Sequence, residues 1–473
     1  MEQVEIVEKL PPAPALPEPL IADRWNSAQE HEWDIHHTHE TPDTWDYVLC
    51  AVVLAGLVLL IYAAIEWDWF QPMMLDLESS RWARLIIRPA ILWSLMGSLL
   101  LVFRTVLWFR YKSSPSATMV DAPSLTVIIP AYNEGVMVRK SIESVMEASY
   151  PRDRLEVVVV DDGSTDDTWV HIQRAAARYP GQILTQRLPV NCGKREALAT
   201  GFRIARGEIL VTLDSDSVIE SGSLLAIAGP FRDARVGAVA GKVKVYNRRQ
   251  GIIPRMLHVR YILSFDMLRA SESGYGTVYC CPGALTGYRA SVVQQVVKRW
   301  VEQRFLGMPC TVGEDRSLTN LILSSGYDTV YQRSAIVHTL TPVSYSKLCR
   351  MLLRWDRSYV REELLFLGIV WKRPLASRII SLFDRLITNL RYPVHYACLV
   401  LLVITMPYRP LALFRLLIVI ALVSALNSLY YLRSERSPDF FYAILYAYYS
   451  LFGLFWIFPF AVVTVRSRGW LTR

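Results

Sequence analysis

Long apolar runs lie on both sides of a middle section with a different pattern, and this contrast most limits how the chain can fold. Residues 46–66 (DYVLCAVVLAGLVLLIYAAIE) are apolar over a length that spans a bilayer, and a second run extends from about Pro89 to Phe109. Trp45, Trp67, Trp69 and Trp108 stand at the ends of these runs, as in the aromatic belts of membrane helices. Three more runs follow the middle section, at about 392–407, 411–432 and 440–466, so about five spans are expected. Hydrophobic residues make up 52% of the 473, which excludes a disordered scaffold or a collagen-like chain.

Charge and cysteine content narrow the partners. The formal net charge is +8, but many of the cations flank apolar runs (Arg110 and Lys112, Arg391, Arg433 and Arg436). That placement suits lipid headgroups and a cytosolic side. No recognition motif accompanies it, so nucleic acid is not an expected partner. The seven cysteines are odd in number and form no CxxC, as in a reduced compartment. Residues 1–44 read as a polar tail with no cleaved signal peptide, in which His31, His36, His37 and His39 match no standard metal spacing.

Residues 120–345 change character. The short β-branched runs LTVIIP (125–130), LEVVVV (155–160) and EILVTL (208–213) alternate with amphipathic stretches such as 136–148 and 194–206. This is the pattern of an α/β domain with a parallel sheet covered by helices. Ligands of such sheets bind beyond the carboxyl ends of the strands. Beyond this domain, Leu348, Met351, Leu352, Trp355 and Tyr359 share one helical face, while Arg350, Arg354, Arg357 and Arg361 share another. A second apolar stripe runs through 374–391 behind Pro374. Both read as amphipathic interface helices. The expected organisation is a tail (1–44), two membrane helices (45–112), a cytosolic domain (120–345), interface helices (346–391), about three membrane helices (392–466) and a short tail (467–473).

The residues that follow each strand carry chemistry. The first strand ends in Pro130-Ala131-Tyr132-Asn133-Glu134, and the second in Asp161-Asp162-Gly163. Paired acids at a strand end can accept hydrogen bonds from a nucleoside, although DDG is also a common turn. Lys194 and Arg195 open a helix, where two cations suit a diphosphate. The third strand runs into Asp214-Ser215-Asp216, a DxD arrangement whose carboxylates can share Mg2+ or Mn2+. Gly313-Glu314-Asp315 opens another helix, where an acid either caps the helix or deprotonates a hydroxyl.

In this order, with Arg354-Trp355 after them, these motifs resemble the membrane-embedded processive β-glycosyltransferases of glycosyltransferase family 2, a group that includes cellulose, chitin and hyaluronan synthases. Cys280-Cys281-Pro282-Gly283-Ala284-Leu285-Thr286-Gly287-Tyr288-Arg289 and Gly313–Asn320 look closest to the hyaluronan and rhizobial chitooligosaccharide synthases. The resemblance covers about residues 120–365 in detail. It implies a nucleotide-diphospho-sugar transferase (GT-A, Rossmann-like) fold with flanking transmembrane helices, in a multi-pass plasma (inner) membrane protein. The implied donor is a UDP-sugar and the implied acceptor a growing β-linked polysaccharide; export or accessory subunits are compatible partners.

The resemblance also implies roles. Asp161 and Asp162 would contact uridine, with Pro130, Ala131 and Glu134 lining the base pocket. Lys194 would reach the uridine or diphosphate region, and Gly283 would lie among the substrate-binding residues. Asp214 and Asp216 would hold the nucleotide and its metal, Mg2+ or Mn2+. Asp315 would be the general base of an inverting transfer, and Arg354 and Trp355 would end the family's QxxRW signature near the diphosphate and acceptor. The glutamine position of that signature is Met351 here. A transferase that glycosylates a lipid carrier, and a non-catalytic nucleotide-sugar sensor or export subunit, are the alternative readings.

Overall fold

The computed structural model describes residues 81–408 and 411–467, with Ala55 and Tyr62 as isolated helical positions. The polar tail with its histidines, nearly all of the 46–66 run, and Arg473 lie outside the described residues.

A long helix, α1 (Arg81–Arg110), leads into the α/β domain. In chain order this domain contains β1 (Leu125–Ala131), α2 (Met137–Met146), β2 (Leu155–Asp161), α3 (Thr168–Arg178), β3 (Ile183–Arg187), α4 (Lys194–Ile204), β4 (Ile209–Thr212), β5 (Ser217–Ile219) and α5 (Ser223–Ala228). It continues through β6 (Val236–Val245), α6 (Ile252–Ile262), α7 (Arg269–Ser273), β7 (Thr286–Arg289), α8 (Ala290–Val301), the hairpin β8 (Arg304–Phe305) and β9 (Met308–Pro309), α9 (Glu314–Ser324) and β10 (Asp328–Thr339). After it come α10 (Tyr345–Ile369), α11 (Leu375–Thr405), α12 (Leu411–Glu435), α13 (Tyr442–Gly453) and α14 (Ile457–Val463).

Eight strands form one sheet in the order β3-β2-β1-β4-β7-β6-β10-β5. The three β-branched runs seen in the sequence pair in parallel, β1 with β2 on one side and β4 on the other, and β3 on β2 and β6 on β10 are parallel too. The sheet as a whole is mixed, not parallel. β7 runs antiparallel to both β4 and β6, and β5 antiparallel to β10. Every residue of β1 and β4 is buried, as expected of strands covered on both faces. One core layer packs Val127, Ile129, Val157 and Val159 with Ile142 and Ile172, and the other packs Ile128, Val158 and Val160 with Phe202 and Trp300.

Three helices among the described residues are long and apolar enough to cross a membrane: Arg84–Arg110, Leu375–Thr405 and Leu413–Glu435. The pair Pro438–Gly453 and Ile457–Val463 qualifies together, bent by 52°. The sequence reading separates an interface helix at 374–391 from a span at 392–407. The structure has one continuous helix there, α11, with Pro393 inside it. A proline is tolerated within a membrane helix when its neighbours satisfy the freed carbonyl. The other expected interface helix is α10. It packs against α9 on one side and α14 on the other, and Arg357 and Arg361 of its basic face are buried.

Candidate active site

The parallel register sets up the site. Ala131 lies opposite Asp161 across β1 and β2, and Ile128 opposite Thr212 across β1 and β4. The loops that carry the DDG and DSD sequences therefore leave the same edge of the sheet, the usual binding edge of such a fold.

Both aspartates of the DDG are tied to the protein. The Asp161 carboxylate is fully buried; its Oδ1 accepts from the Ser164 amide at 3.1 Å and its Oδ2 pairs with Arg187 Nε at 3.0 Å. Asp162 accepts from the amides of Cys192 (2.7 Å) and Gly193 (2.8 Å), which fixes the loop ahead of α4. Burial pushes the Asp162 carboxyl up, against the downward pull of these two amides. Gly163 has φ +71°, and a Cβ there would meet the Val190 carbonyl carbon at 2.6 Å, so only glycine allows the two loops to approach this closely. Pro130 and Ala131 are buried at the end of β1, where the Ala131 carbonyl accepts from the Asp162 amide at 2.8 Å. Glu134 is partly buried in the next turn, its amide donating to Thr168 Oγ1.

Lys194 organises the centre. Its Nζ donates to Asp214 Oδ1 at 2.6 Å and pairs with Glu314 Oε1 at 3.2 Å. Burial works against its charge, but Asp214 and Glu314 outweigh burial and raise its pKa. Gly283 completes the cradle: a Cβ there would lie 2.8 Å from Lys194 Nζ and 3.1 Å from Asp214 Oδ1. Arg195, the second cation of the helix start, turns away from the site. It donates to the Trp300 carbonyl at 2.8 Å and stacks on the Trp300 ring, buried in the core.

The two acids of the DSD have different surroundings. Asp214 is partly exposed beside Lys194, while Asp216 is buried, its Oδ1 accepting from the hydroxyls of Ser217 (3.1 Å) and Thr339 (3.3 Å). Among the described residues no three His, Cys, Asp or Glu side chains converge as a cage. Carboxylate oxygens fit a hard divalent cation, and so few protein donors suit one that completes its octahedron with phosphate and water oxygens.

Asp315 lies in the first turn of α9, and several features fix it there. Gly313 takes φ +75°, and a Cβ would collide with the Ser358 side chain of α10. The Trp300 indole donates to the Glu314 carbonyl at 3.0 Å. The Asp315 carboxylate accepts from the Arg316 amide at 2.7 Å and faces the Cys280 thiol at 3.6 Å. Burial, and then the neighbouring Glu314 charge, push Asp315 up, with Lys194 opposing. Glu314 goes the other way: burial raises it, but Lys194 and other cations bring it down to about 2. One acid of the pair is thus held ionised while the other moves towards a basic carboxylate. Burial and then Asp315 push the Cys280 thiol up to about 12, so it faces the carboxylate as a neutral group.

Arg354 and Trp355 lie on α10 beside this cluster. Arg354 is among the cations that lower Glu314. Trp355 is partly buried, 6.0 Å from the Tyr261 ring and under the Arg260 guanidinium at 5.8 Å. Met351 has a structural use of its own: the Tyr261 hydroxyl donates to its sulfur at 3.9 Å. The tyrosines of the last apolar run have partners as well, with Tyr442 bonded to Arg255, Tyr446 under Arg260 and Tyr448 bonded to the Leu417 carbonyl.

Lys194, Asp214, Gly283, Glu314 and Asp315 therefore form one cluster, with Arg354 adding charge to it. Asp161 and Asp162 hold the adjoining loop. Sequence reasoning left Glu314, Arg187 and Cys280 without roles. Glu314 is visible in hindsight, because it is the acid nearest the base on the same helix turn.

The glycosyl transferase family 2 model matches residues 126–297, the section that supplies the sheet edge and most of this cluster. An N-acetylglucosaminyltransferase of Rhizobium leguminosarum bv. viciae is 35% identical over 249 residues, 52% of this chain and 58% of the relative. The chain thus spans under two thirds of that relative's length. A second N-acetylglucosaminyltransferase, from Rhizobium sp. (strain N33), is 31% identical over 360 residues, 74% of this chain and 77% of the relative. A hyaluronan synthase of Streptococcus pyogenes serotype M3 is 28% identical over 378 residues, 78% of this chain and 86% of the relative. In fold, the chain is similar to a mannosyltransferase from Pyrobaculum calidifontis solved with GDP-Man and Mn2+ (TM-score 0.57, 22% identity, 77% of this chain and 98% of the other). Sheet, motif-bearing edge and relatives agree that this chain belongs to glycosyl transferase family 2.

Proposed function

We propose that the chain is an inverting membrane glycosyltransferase that moves a sugar from a UDP-sugar onto a growing β-linked polysaccharide. The observation that carries this reading is the Glu314–Asp315 pair: one carboxylate pinned as an anion by Lys194, the next pushed up beside it. Asp315 removes the proton from the acceptor hydroxyl as that oxygen attacks the anomeric carbon. A single base and a direct displacement invert that carbon. Lys194 and Arg354 bring positive charge to the diphosphate side, where leaving-group charge develops. Asp214 and Asp216 would hold Mg2+ or Mn2+, which supplies further positive charge to the departing diphosphate. Trp355 offers a flat face to an acceptor ring.

The protein would sit in the inner membrane with several spans and its catalytic domain in the cytosol, the side favoured by Arg110 and Lys112. Relatives named N-acetylglucosaminyltransferase make UDP-N-acetylglucosamine the first donor to try. The test is UDP release by purified full-length protein, across a panel of UDP-sugars with Mg2+ or Mn2+, with the product sized on a gel. Metal-dependent release with a long product supports the reading. A single-sugar lipid product replaces the polymerase with a lipid-linked transferase, and UDP binding without release replaces it with a sensor.

A further inference from the structure

The mechanism above leaves unused a buried set of charges running from the candidate base into the membrane helices. Arg316, next to Asp315, pairs through Nη1 with Glu363 Oε1 on α10 at 2.9 Å. The same Glu363 oxygen accepts from Arg385 Nη1 on α11 at 3.2 Å, and its other oxygen from Asn389 at 3.0 Å. Arg385 Nη2 then pairs with Asp384 at 2.6 Å, and Asp384 with Arg104 of α1 at 2.7 Å. Glu363, Asp384 and Arg385 are all buried.

Arg385 also reaches the opposite side of the base. Its guanidinium lies over the Tyr279 ring at 3.7 Å and within 3.8 Å of Glu272 Oε1. Glu272 Oε2 accepts from the Tyr279 amide at 3.4 Å. Tyr279 immediately precedes Cys280, whose thiol faces Asp315. One side chain on a candidate membrane helix therefore bears on Asp315 from two sides: through Glu363 to Arg316, and through Glu272 and Tyr279 to Cys280.

We propose that Arg385 is a positioning residue for Asp315, tying the geometry of the base to the helices α1 and α11. The inference rests on Asp315 being the base. Buried ion pairs are weak devices for stability but hold one arrangement against others, because breaking any link strands a charge. Geometry at the base needs such a hold: a carboxylate displaced by about 1 Å from its acceptor can lose two orders of magnitude in rate.

The test uses the full chain in detergent, with the donor that the parent turns over. kcat, donor KM and the pH profile are measured for Arg385→Gln, Arg385→Lys and Glu363→Gln. The groups that face Asp315 are Glu314 and Arg316 of its own helix, Lys194 of α4, Cys280 and Cys281 of the preceding loop, and Tyr288 of β7. Of the charged groups among these, Arg316 is the one the variants reach: Glu363→Gln removes its carboxylate partner, and the Arg385 variants leave that carboxylate without the guanidinium that fixes it. The Arg316 charge lowers Asp315, so an untethered Arg316 lets Asp315 rise and moves the acid limb of kcat to higher pH.

Arg385→Gln is expected to lower kcat at least tenfold with donor KM within twofold, to move that limb upward, and to be partly rescued in Arg385→Lys. If Arg385→Gln does not fold, Glu363→Gln decides by the same measurements. An unmoved acid limb, with kcat falling only as far as the folded fraction, overturns the proposal. A parent that releases no UDP from any donor overturns the functional reading beneath it, a separate outcome seen before any variant is made.

Discussion

Lys194→Met tests how the cluster is held. Lys194 lies 3.2 Å from Glu314 and 2.6 Å from Asp214, and the Glu314 side chain is only 14% exposed, so solvent screens the pair weakly. Burial raises Glu314, yet Lys194 and the other cations bring it from an ordinary 4.5 down to about 2. At about 1.4 kcal/mol per pH unit, that difference is worth about 3 kcal/mol of folding stability at neutral pH. Because Glu314's folded value lies below its unfolded one, this contribution is complete above pH 4.5 and is lost as the pH falls towards 2. Lys194 is the foremost of the groups that lower Glu314, ahead of an amide hydrogen bond, Arg354 and Arg195, so the variant removes the largest single support. The assay is denaturant unfolding in detergent, followed by tryptophan fluorescence, for parent and variant at pH 7, 5 and 3.5. The gap is expected to be up to about 3 kcal/mol at pH 7 and pH 5, and to narrow at pH 3.5. A gap within about 0.5 kcal/mol at pH 7, as for an ordinary surface substitution, would refute the claim that Lys194 holds these carboxylates.

Asp315→Asn keeps the shape of the base and removes its function; UDP release is expected to fall by about two to four orders of magnitude while UDP binding, measured by calorimetry, is retained. Gly283→Ala places a methyl group 2.8 Å from Lys194 Nζ, so donor KM should rise sharply while the thermal midpoint stays near the parent's. Gly313→Ala forces an alanine to φ +75° against Ser358, at a cost of about 1–3 kcal/mol in the same unfolding assay. Chelation with EDTA should abolish UDP release, and added Mn2+ or Mg2+ should restore it; release that persists through chelation removes the metal from the proposal.

What the sequence made legible was what local pattern encodes. LTVIIP, LEVVVV and EILVTL are buried on both faces, so they read as strands. Because they are parallel, the acids following two of them must leave the same edge. What stayed hidden depended on partners far along the chain. Arg195 looks like Lys194 in sequence, and only partners over a hundred residues away, Trp300 and Gln303, draw it into the core. The basic face of α10 suggested a surface because its acidic and carbonyl partners are not visible as a pattern. Arg361, for instance, pairs with Glu362 on its own helix and donates to the Val312 carbonyl. The DSD promised two equivalent carboxylates, yet β10 and β5 bring Thr339 and Ser217 to one of them. The amphipathic stripe at 374–391 gives way to a mainly apolar stretch near Pro393, which reads as two helices although the backbone continues through.

That continuity has a mechanical consequence. A helix of 31 residues, rising about 1.5 Å per residue, is about 46 Å long, whereas the hydrocarbon layer it would cross is about 30 Å thick. The surplus is about three turns, and Asp384 and Arg385 lie near its inner limit, about 15 Å from the start of the helix. Set in a bilayer, such a helix would act as a lever with the lipid as its fulcrum. A thinner bilayer tilts it further and swings its charged end sideways, while a thicker one draws it upright. Were the helix to span a bilayer as proposed, acyl-chain length in reconstituted membranes would be expected to change turnover, acting through a helix that contains no proposed catalytic group.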